Sequence, residues 1–290
     1  MTVPKAFEFR RFPGALGGEI LRLDLSQPLA DGTIAELRAA LLESGGLLVM
    51  RSQKITPAQH VAFSRRFGPL MEHVLRQYLL PGYPEILRVS NVIENGQPIG
   101  LGDAGAIWHS DISYTPEPSL GSLLHALELP AEGGDTSFAN MTAAYEALPA
   151  GIKRQIHGLR AVHSYSHSYA KFGGSPFRPP LSKAQLDQVP DVTHPVVRTH
   201  PETRRRAIFV NEGFTSRILD LPDTTGRDLL QYLFSHCTHP RFVYRHKWQD
   251  DDLVFWDNRC TIHMAHGCPP ELRRHMHRTT VRGDAPYFDG

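Results

Sequence analysis

Ile107-Trp108-His109-Ser110-Asp111-Ile112-Ser113 is the stretch from which the rest of the chain is read. Both ends are apolar and β-prone, and side chains at i and i+2 of a strand share a face. The stretch is therefore expected to be a strand that presents the His109 imidazole beside the Asp111 carboxylate. Two histidines and one carboxylate form the facial triad that holds non-heme Fe(II) and leaves coordination positions open. A lone His-x-Asp carries little weight in a chain with 16 His and 30 acidic residues. Taken alone it reads first as the polar face of a strand. A third ligand, an anion-binding group and a pocket must come from elsewhere in the sequence.

Composition narrows the classes. The chain has 290 residues, enough for one large core or two small ones, and we expect a single catalytic domain over 1–290. Hydrophobic content of 41% and charged content of 21% are those of an ordinary globular protein. A net charge of +1 gives no electrostatic reason to expect a nucleic-acid or membrane partner. No apolar run is long enough for a spanning helix, and Met1 to Glu8 lacks the pattern of a signal peptide. Three cysteines without framework spacing suit a reducing compartment, so a cytoplasmic location is expected. Nothing in the composition settles oligomeric state; a dimer or tetramer stays open.

Along the chain, residues 7–30 read as short strands. Thr33 with Glu36 suggests a capping box for a helix to about Leu42, ended by Gly45-Gly46, with Leu47–Met50 as a buried strand. Thr56-Pro57-Ala58-Gln59 is a second helix start, running to about Phe67-Gly68. Residues 69–84 read as loop, 85–90 as strand, and 91–105 as a Gly-rich polar loop. An apolar run at 119–129, a turn at Glu132–Asp135 and a strand at 136–139 follow, then short helices at 141–148 and 150–158. Residues 171–193, rich in Pro and Gly, read as a surface insertion or lid. A hairpin is expected around 200–205, a helix over 223–237, and strands at 241–248, 252–257 and 276–282. Many short strands with few helices favour a jelly roll with helical decoration over a parallel doubly wound sheet.

The third ligand candidate is His263, just beyond the strand and turn at Phe255-Trp256-Asp257-Asn258-Arg259. If 273–280 is extended, Arg274, Met276, Arg278 and Thr280 share a face, with the two guanidiniums about 13 Å apart. Guanidinium forks suit carboxylates and sulfonates. Such a pair beside Fe(II) fits a 2-oxo-acid cosubstrate and an anionic substrate, although the same arginines also read as solvated surface charges. Rival constellations are weaker. Cys260, His263, His266 and Cys268 are cramped for a structural zinc site. His275-x-His277 would face away from Arg274 and Arg278, and His236-x-x-His239 reads as capping a helix C-terminus. No Gly-x-Ser-x-Gly elbow is present. His125 and His163, in apolar runs, read as core histidines.

These residues resemble the taurine dioxygenase and 2,4-dichlorophenoxyacetate dioxygenase family of Fe(II)- and 2-oxoglutarate-dependent oxygenases. The resemblance spans roughly 15–288 and rests on ordered blocks: Trp108-His109-Ser110-Asp111, Gly133-Gly134-Asp135-Thr136, His194–Pro201, Val210-Asn211-Glu212-Gly213-Phe214, Trp256-Asp257-Asn258-Arg259 and Arg278–Pro286. It implies an α+β, mainly β fold, a double-stranded β-helix with an inserted lid. It implies His109, Asp111 and His263 as iron ligands, and Thr136 and Arg274 as holders of the 2-oxoglutarate carboxylates. It implies Arg278 and His73 as the substrate-anion clamp, with Tyr169 and Phe214 at aromatic pocket positions. The implied reaction uses O2 to hydroxylate a small anionic substrate, foremost a sulfonate such as taurine, releasing sulfite, succinate and CO2. Alkyl sulfate esters, aryloxy or alkyl carboxylates, and a non-catalytic metal-binding protein of the same fold are the alternatives. The carboxylate of Asp111 favours hydroxylation over halogenation, because its loss would open a halide site. Gly105 stands where the taurine enzymes carry a pocket asparagine, while Tyr169 and Tyr114 replace phenylalanines. The loop Asn91–Gly105 also differs in composition, which sets taurine itself in question.

Overall fold

Strand alternation builds the layers that carry the site. The structure, a computed structural model, describes residues 6–173, 175, 177 and 180–290. An eight-stranded sheet runs, in spatial order, Glu8–Arg11, Gly18–Leu21, Leu47–Met50, Leu253–Asp257, Ser119–Glu128, His275–Arg282, Tyr83–Ser90 and Leu79–Leu80. Its pairings are antiparallel except that between Gly18–Leu21 and Leu47–Met50. A second sheet of three strands has Thr136–Asn140 between Val243–His246 and Thr261–Ala265.

Alternate residues of the large sheet face opposite layers, as the pleat requires. Leu47, Val49, Val254, Trp256, Leu124, Ala126 and Met276 turn inward and meet Phe138 of the smaller sheet. Their chain neighbours Leu48, Met50, Leu253, Phe255 and Leu123 turn outward, against Leu37 and Leu41 of helix Asp31–Glu43 and Phe63 of helix Pro57–Arg65. On the far side of the smaller sheet, Ala139 and Ile262 pack on Met141, Leu229 and Leu233 of helices Met141–Glu146 and Asp223–Cys237. Burying a side chain of this size contributes roughly 1.5–3 kcal/mol. The two sheets are thus held together through their inner faces, while the outer face of each is covered by helices.

Helix Pro57–Arg65 starts as expected, with the complete Thr56/Gln59 capping box and Pro57 in its first turn, but stops earlier than Phe67. The Thr33 cap does not form: the helix begins at Asp31 after Ala30, and Thr33 is buried inside it. Residues 69–84 hold a short 3₁₀ turn, Arg76–Tyr78, and the strand pair Leu79–Leu80 and Tyr83–Ser90 rather than open loop. The 91–105 segment contains a small hairpin, Ile93–Glu94 with Gln97–Pro98, turned by Asn95 and Gly96 at positive φ. The expected insertion at 171–193 falls partly on 174, 176, 178 and 179, which lie outside the described residues. Around them run helices Tyr165–Phe172 and Lys183–Leu186 and the strand Val192–Pro195.

Candidate metal and cosubstrate site

His109 and His263 are joined directly. Each backbone amide donates to the other's carbonyl, at 3.0 and 2.8 Å, in an isolated antiparallel bridge. His263 sits in Thr261–Ala265, a strand that the sequence reading placed after a turn without recognising it. The 107–113 stretch, by contrast, is not the strand expected. Beyond the bridge at His109 it turns, with Ser113 N donating to Ser110 O and Ile112 at φ 57°. That positive φ costs energy for a β-branched residue, and the surrounding bonds over-determine it. His109 and Asp111 still converge, through a turn instead of a pleat.

The two rings lie 4.1 Å apart between centroids. His109 Nε2 is 3.6 Å from Asp111 Oδ1, and His263 Nε2 is 3.8 Å from Asp111 Oδ2. All three residues are buried, with their ligand atoms mutually within 4.8 Å. His109 Nδ1 lies 2.8 Å from Ile107 O, so it carries the proton and Nε2 keeps its lone pair toward Asp111. Burial, together with neighbouring His109, holds the His263 ring well below its ordinary pKa and therefore neutral. Burial would raise the Asp111 carboxyl, but the Arg278 guanidinium, His263 and His109 hold it well below the usual range. Two imidazoles and one carboxylate with inward-facing atoms form a donor set that fits a divalent iron.

Arg278 lies within the strand His275–Arg282, and its Nη1 donates to Asp111 Oδ1 at 2.6 Å. Its Nε, also buried, has no partner among the described residues. Arg274 stands just before that strand and is buried, with no side-chain hydrogen bond or ion pair among the described residues. Burial pushes its guanidinium down to about 10. An unpaired buried cation is costly unless a charge meets it, which is the fit expected of a carboxylate-bearing cosubstrate. Arg273, in contrast, is half-exposed and grips Glu128 at 2.6 and 3.1 Å. Thr136 is buried, and its Oγ1 accepts from Trp248 Nε1 at 3.0 Å. Asn91 was not foreseen. Its Oδ1 accepts from Arg274 N at 2.8 Å and its Nδ2 donates to Leu272 O at 2.8 Å, locking the approach to Arg274.

A cleft opens over the triad. His73, Leu75, Leu101, Gly105, Ile107, Ile112, Tyr114, Tyr165, Ser168 and Phe214 wall it, with His109, Asp111 and Arg278 at its floor. His73 Nδ1 accepts from Leu75 N at 3.1 Å. Tyr169 does not line this cleft. Tyr165 and Ser168 of the same helix do, while Tyr169 packs half-buried at the core's edge, close against Gly173. Gly105 adopts φ +76°, and a Cβ there would lie 2.9 Å from His109 Cε1. A Cβ on Gly213, on the other side, would lie 2.9 Å from His109 Cβ.

Among the described residues, Cys260, His263, His266 and Cys268 do not gather; Ser137 Oγ lies 2.8 Å from His266 Nε2 and Cys260 packs near Gly46. His236 does not cap its own helix: its Nε2 lies 2.8 Å from Ala144 O, while His239 caps the 3₁₀ turn Pro240–Phe242. His125 and His163 are buried and hydrogen-bonded, as read, to Gln53 O and Ser113 Oγ. A second group with ligand-type atoms, His200, Asp257 and Cys260, is buried elsewhere. There the Asp257 carboxylate accepts from His200 Nε2 at 3.1 Å and from Arg259 Nε and Nη2 at 2.9 and 2.6 Å.

Comparison with known proteins agrees with this geometry. The family described as Taurine catabolism dioxygenase TauD, TfdA family matches residues 8–280. The alpha-ketoglutarate-dependent 2,4-dichlorophenoxyacetate dioxygenase of Cupriavidus pinatubonensis is 35% identical over 274 residues, covering 91% of this chain and 93% of that one. A taurine dioxygenase from Burkholderia xenovorans superposes with a TM-score of 0.81 at 31% identity, over 97% of this chain and 91% of that one. AAD-2, solved with Mn(II) and N-oxalylglycine, superposes with a TM-score of 0.80 at 33% identity, over 99% and 100%. No helix among the described residues is long and apolar enough to cross a membrane.

Proposed function

The chain belongs to the TauD/TfdA family and is an Fe(II)- and 2-oxoglutarate-dependent dioxygenase, and from that premise we propose that it hydroxylates a small organic anion with an apolar body. The observation that carries this reading is the lining of the cleft. Apart from Asp111 at its floor, no acidic side chain among the described residues lines it, and Gly105 stands where the resemblance puts an asparagine in the taurine enzymes. Taurine's ammonium would find no counterion there, whereas Leu75, Leu101, Ile107, Tyr114 and Phe214 suit an aryl or alkyl body. An aryloxy or alkyl carboxylate is the best fit, ahead of an alkyl sulfate ester and an unsubstituted sulfonate; taurine, the foremost expectation from the sequence, comes last. The 2,4-dichlorophenoxyacetate activity of the Cupriavidus relative is consistent with that order.

In this reading His109, Asp111 and His263 hold the iron. Bound there, iron supplies the O2 activation that couples 2-oxoglutarate decarboxylation to substrate hydroxylation. Arg274 pairs with the far carboxylate of 2-oxoglutarate and Thr136 bonds a carboxylate oxygen. Arg278 serves two anions: Nη1 steadies Asp111, and the guanidinium at the cleft floor meets the substrate's acidic group, with His73 on the cleft wall. Phe214 and Tyr114 hold the substrate body and exclude water. The facing large and small sheets are read as a double-stranded β-helix, and 1–290 as one catalytic domain. The test is succinate release with Fe(II), 2-oxoglutarate and a panel of aryloxyacetates, alkyl sulfates, alkanesulfonates and taurine. Aryloxy or alkyl anions should exceed taurine at least tenfold. Taurine as the best substrate overturns the proposal; no release with any anion favours a metal-binding protein without catalysis.

A further inference from the structure

His109 is fixed by a hydrogen bond from its second nitrogen; His263 is not. No partner for His263 Nδ1 exists among the described residues. Its orientation comes from rings instead: Phe138 lies roughly parallel to it at 5.9 Å and 23°, and Trp256 at 4.7 Å and 55°. The Trp256 indole also reaches the other side of the site, because its Nε1 donates to Asn258 Oδ1 at 3.0 Å. Asn258 is buried, and every polar atom of its side chain is engaged. Oδ1 accepts a second bond from Asp111 N at 3.2 Å. Both of these partners are donor-only groups, which fixes the amide's orientation. Nδ2 therefore faces Ser119 Oγ at 2.9 Å and Ser122 Oγ at 3.1 Å.

The two serines complete the circuit. Ser122 Oγ donates to Asp111 Oδ2 at 2.7 Å, and Ser119 Oγ donates to Asp111 O at 2.9 Å. Ser110 Oγ donates to Asn258 O at 2.9 Å. A serine has one hydroxyl hydrogen. Ser122 can give it to Asp111 because Asn258 asks only for a lone pair. The geometry points to Trp256 and Asn258 as positioning residues that set both halves of the metal site together. Trp256 orients the His263 ring by contact, and Asn258 orients the Asp111 carboxylate through Ser122. This rests on the ligand roles given above to Asp111 and His263.

Asn258→Asp is the sharpest test, since it replaces the two donors facing Ser119 and Ser122 with an acceptor. The Ser122 hydrogen then has a competing acceptor and is drawn from Asp111. Ser122→Ala removes the same bond with less disturbance and stands in if the Asn258 variant fails to fold. The full chain, without 2-oxoglutarate, is titrated with Mn(II) while the free-ion electron paramagnetic resonance signal is followed. Thermal unfolding is recorded on the same samples. Both variants should bind Mn(II) at least tenfold more weakly, as losses of ligand-supporting bonds typically do. Leu37→Ala, a core truncation in helix Asp31–Glu43 on the outer face of the large sheet, should lower the melting temperature and leave Mn(II) affinity unchanged. Wild-type Mn(II) affinity in Ser122→Ala and Asn258→Asp, with affinity lost in Asp111→Ala, overturns the positioning role alone. Unchanged affinity in Asp111→Ala as well overturns the ligand assignment beneath it.

Discussion

Two buried clusters in this protein contain ligand-type side chains at nearly the same spacing, His109/Asp111/His263 and His200/Asp257/Cys260. They differ in what their lone pairs are already doing. In the first, His109 spends its Nδ1 hydrogen on Ile107 O and leaves Nε2 uncommitted. In the second, His200 Nδ1 accepts from the backbone amides of Glu202 and Thr203, both at 3.2 Å, so the proton sits on Nε2 and goes to Asp257. Asp257 is further saturated by the Arg259 fork, whose charge, with the hydrogen bond from His200, outweighs burial and holds the carboxyl far below its ordinary range. Burial raises the Cys260 thiol well above its ordinary pKa, so it is no thiolate. Proximity of ligand-type residues is therefore not a metal site; Asp111 also accepts from Arg278 and Ser122, but beside it stands an imidazole Nε2 committed to no hydrogen bond, which the second cluster lacks.

The two carboxylates test this contrast with the largest effects. Asp111→Ala should abolish stoichiometric Mn(II) or Fe(II) binding and substrate-dependent succinate release. Asp257→Asn should leave metal stoichiometry at one and lower unfolding stability by roughly 3–5 kcal/mol, because it removes the buried carboxylate that Arg259 and His200 share and leaves Arg259 paired with Glu202 alone. Metal titration beside urea denaturation reads both, and a loss of metal binding only in the Asp257 variant would reverse the assignment. Next in size, Arg274→Ala should raise the 2-oxoglutarate KM by a factor corresponding to about 2–5 kcal/mol, while Arg273→Ala, whose partner is the exposed Glu128, should hardly change it. Equal effects would show that burial does not select the cosubstrate arginine.

A third set of histidines sharpens the comparison from the other direction. His277 stands opposite His125 across the strand pair, His275 lies beside it, and His60 covers them from helix Pro57–Arg65. Burial, with the neighbouring imidazoles, pushes His60 and His277 down to about 3. Their folded pKa lies below the unfolded value, so the unfolded chain takes up protons first. The stability they share is complete above about pH 6.5 and is lost as pH falls toward 3. His277→Gln should flatten the fall in unfolding free energy, read from denaturant titrations between pH 6.5 and 4.5, by an amount on the order of 1–2 kcal/mol; an unchanged slope would remove His277 from the account. Smallest of all, Cys260→Ala should cost about 1 kcal/mol and leave metal content untouched, as measured by metal analysis of the purified protein.

How much of this was readable beforehand depended on whether the signal was local. The Thr56 capping box, the Leu47–Met50 and Leu253–Asp257 strands and the alternation of Arg274 and Arg278 against His275 and His277 follow from side-chain period and cap chemistry, and they appear as read. The ligand trio converged as expected, but by a turn at Ile112 whose positive φ no propensity would assign to isoleucine. The strand bearing His263 was hidden behind the Asp257–Arg259 turn, since five residues are too few to show a period. Asn258 lay in full view within a quoted block, yet its role depends on bonds to residues more than 130 positions away. The usable hint was chemical: Ser119 and Ser122 interrupt an apolar run, and buried hydroxyls need partners. Tyr169 went astray because a helix end, Tyr165–Phe172, decides which of its residues reaches the cleft.

The His109 ring sits in a slot walled by the backbones of Gly105 and Gly213, each with no room for even a methyl group. Saturation mutagenesis should therefore find two intolerant positions that carry no chemistry of their own. Any laboratory evolution meant to enlarge the substrate range would have to begin at Leu75, Leu101, Tyr165 or Ser168 and leave those two alone.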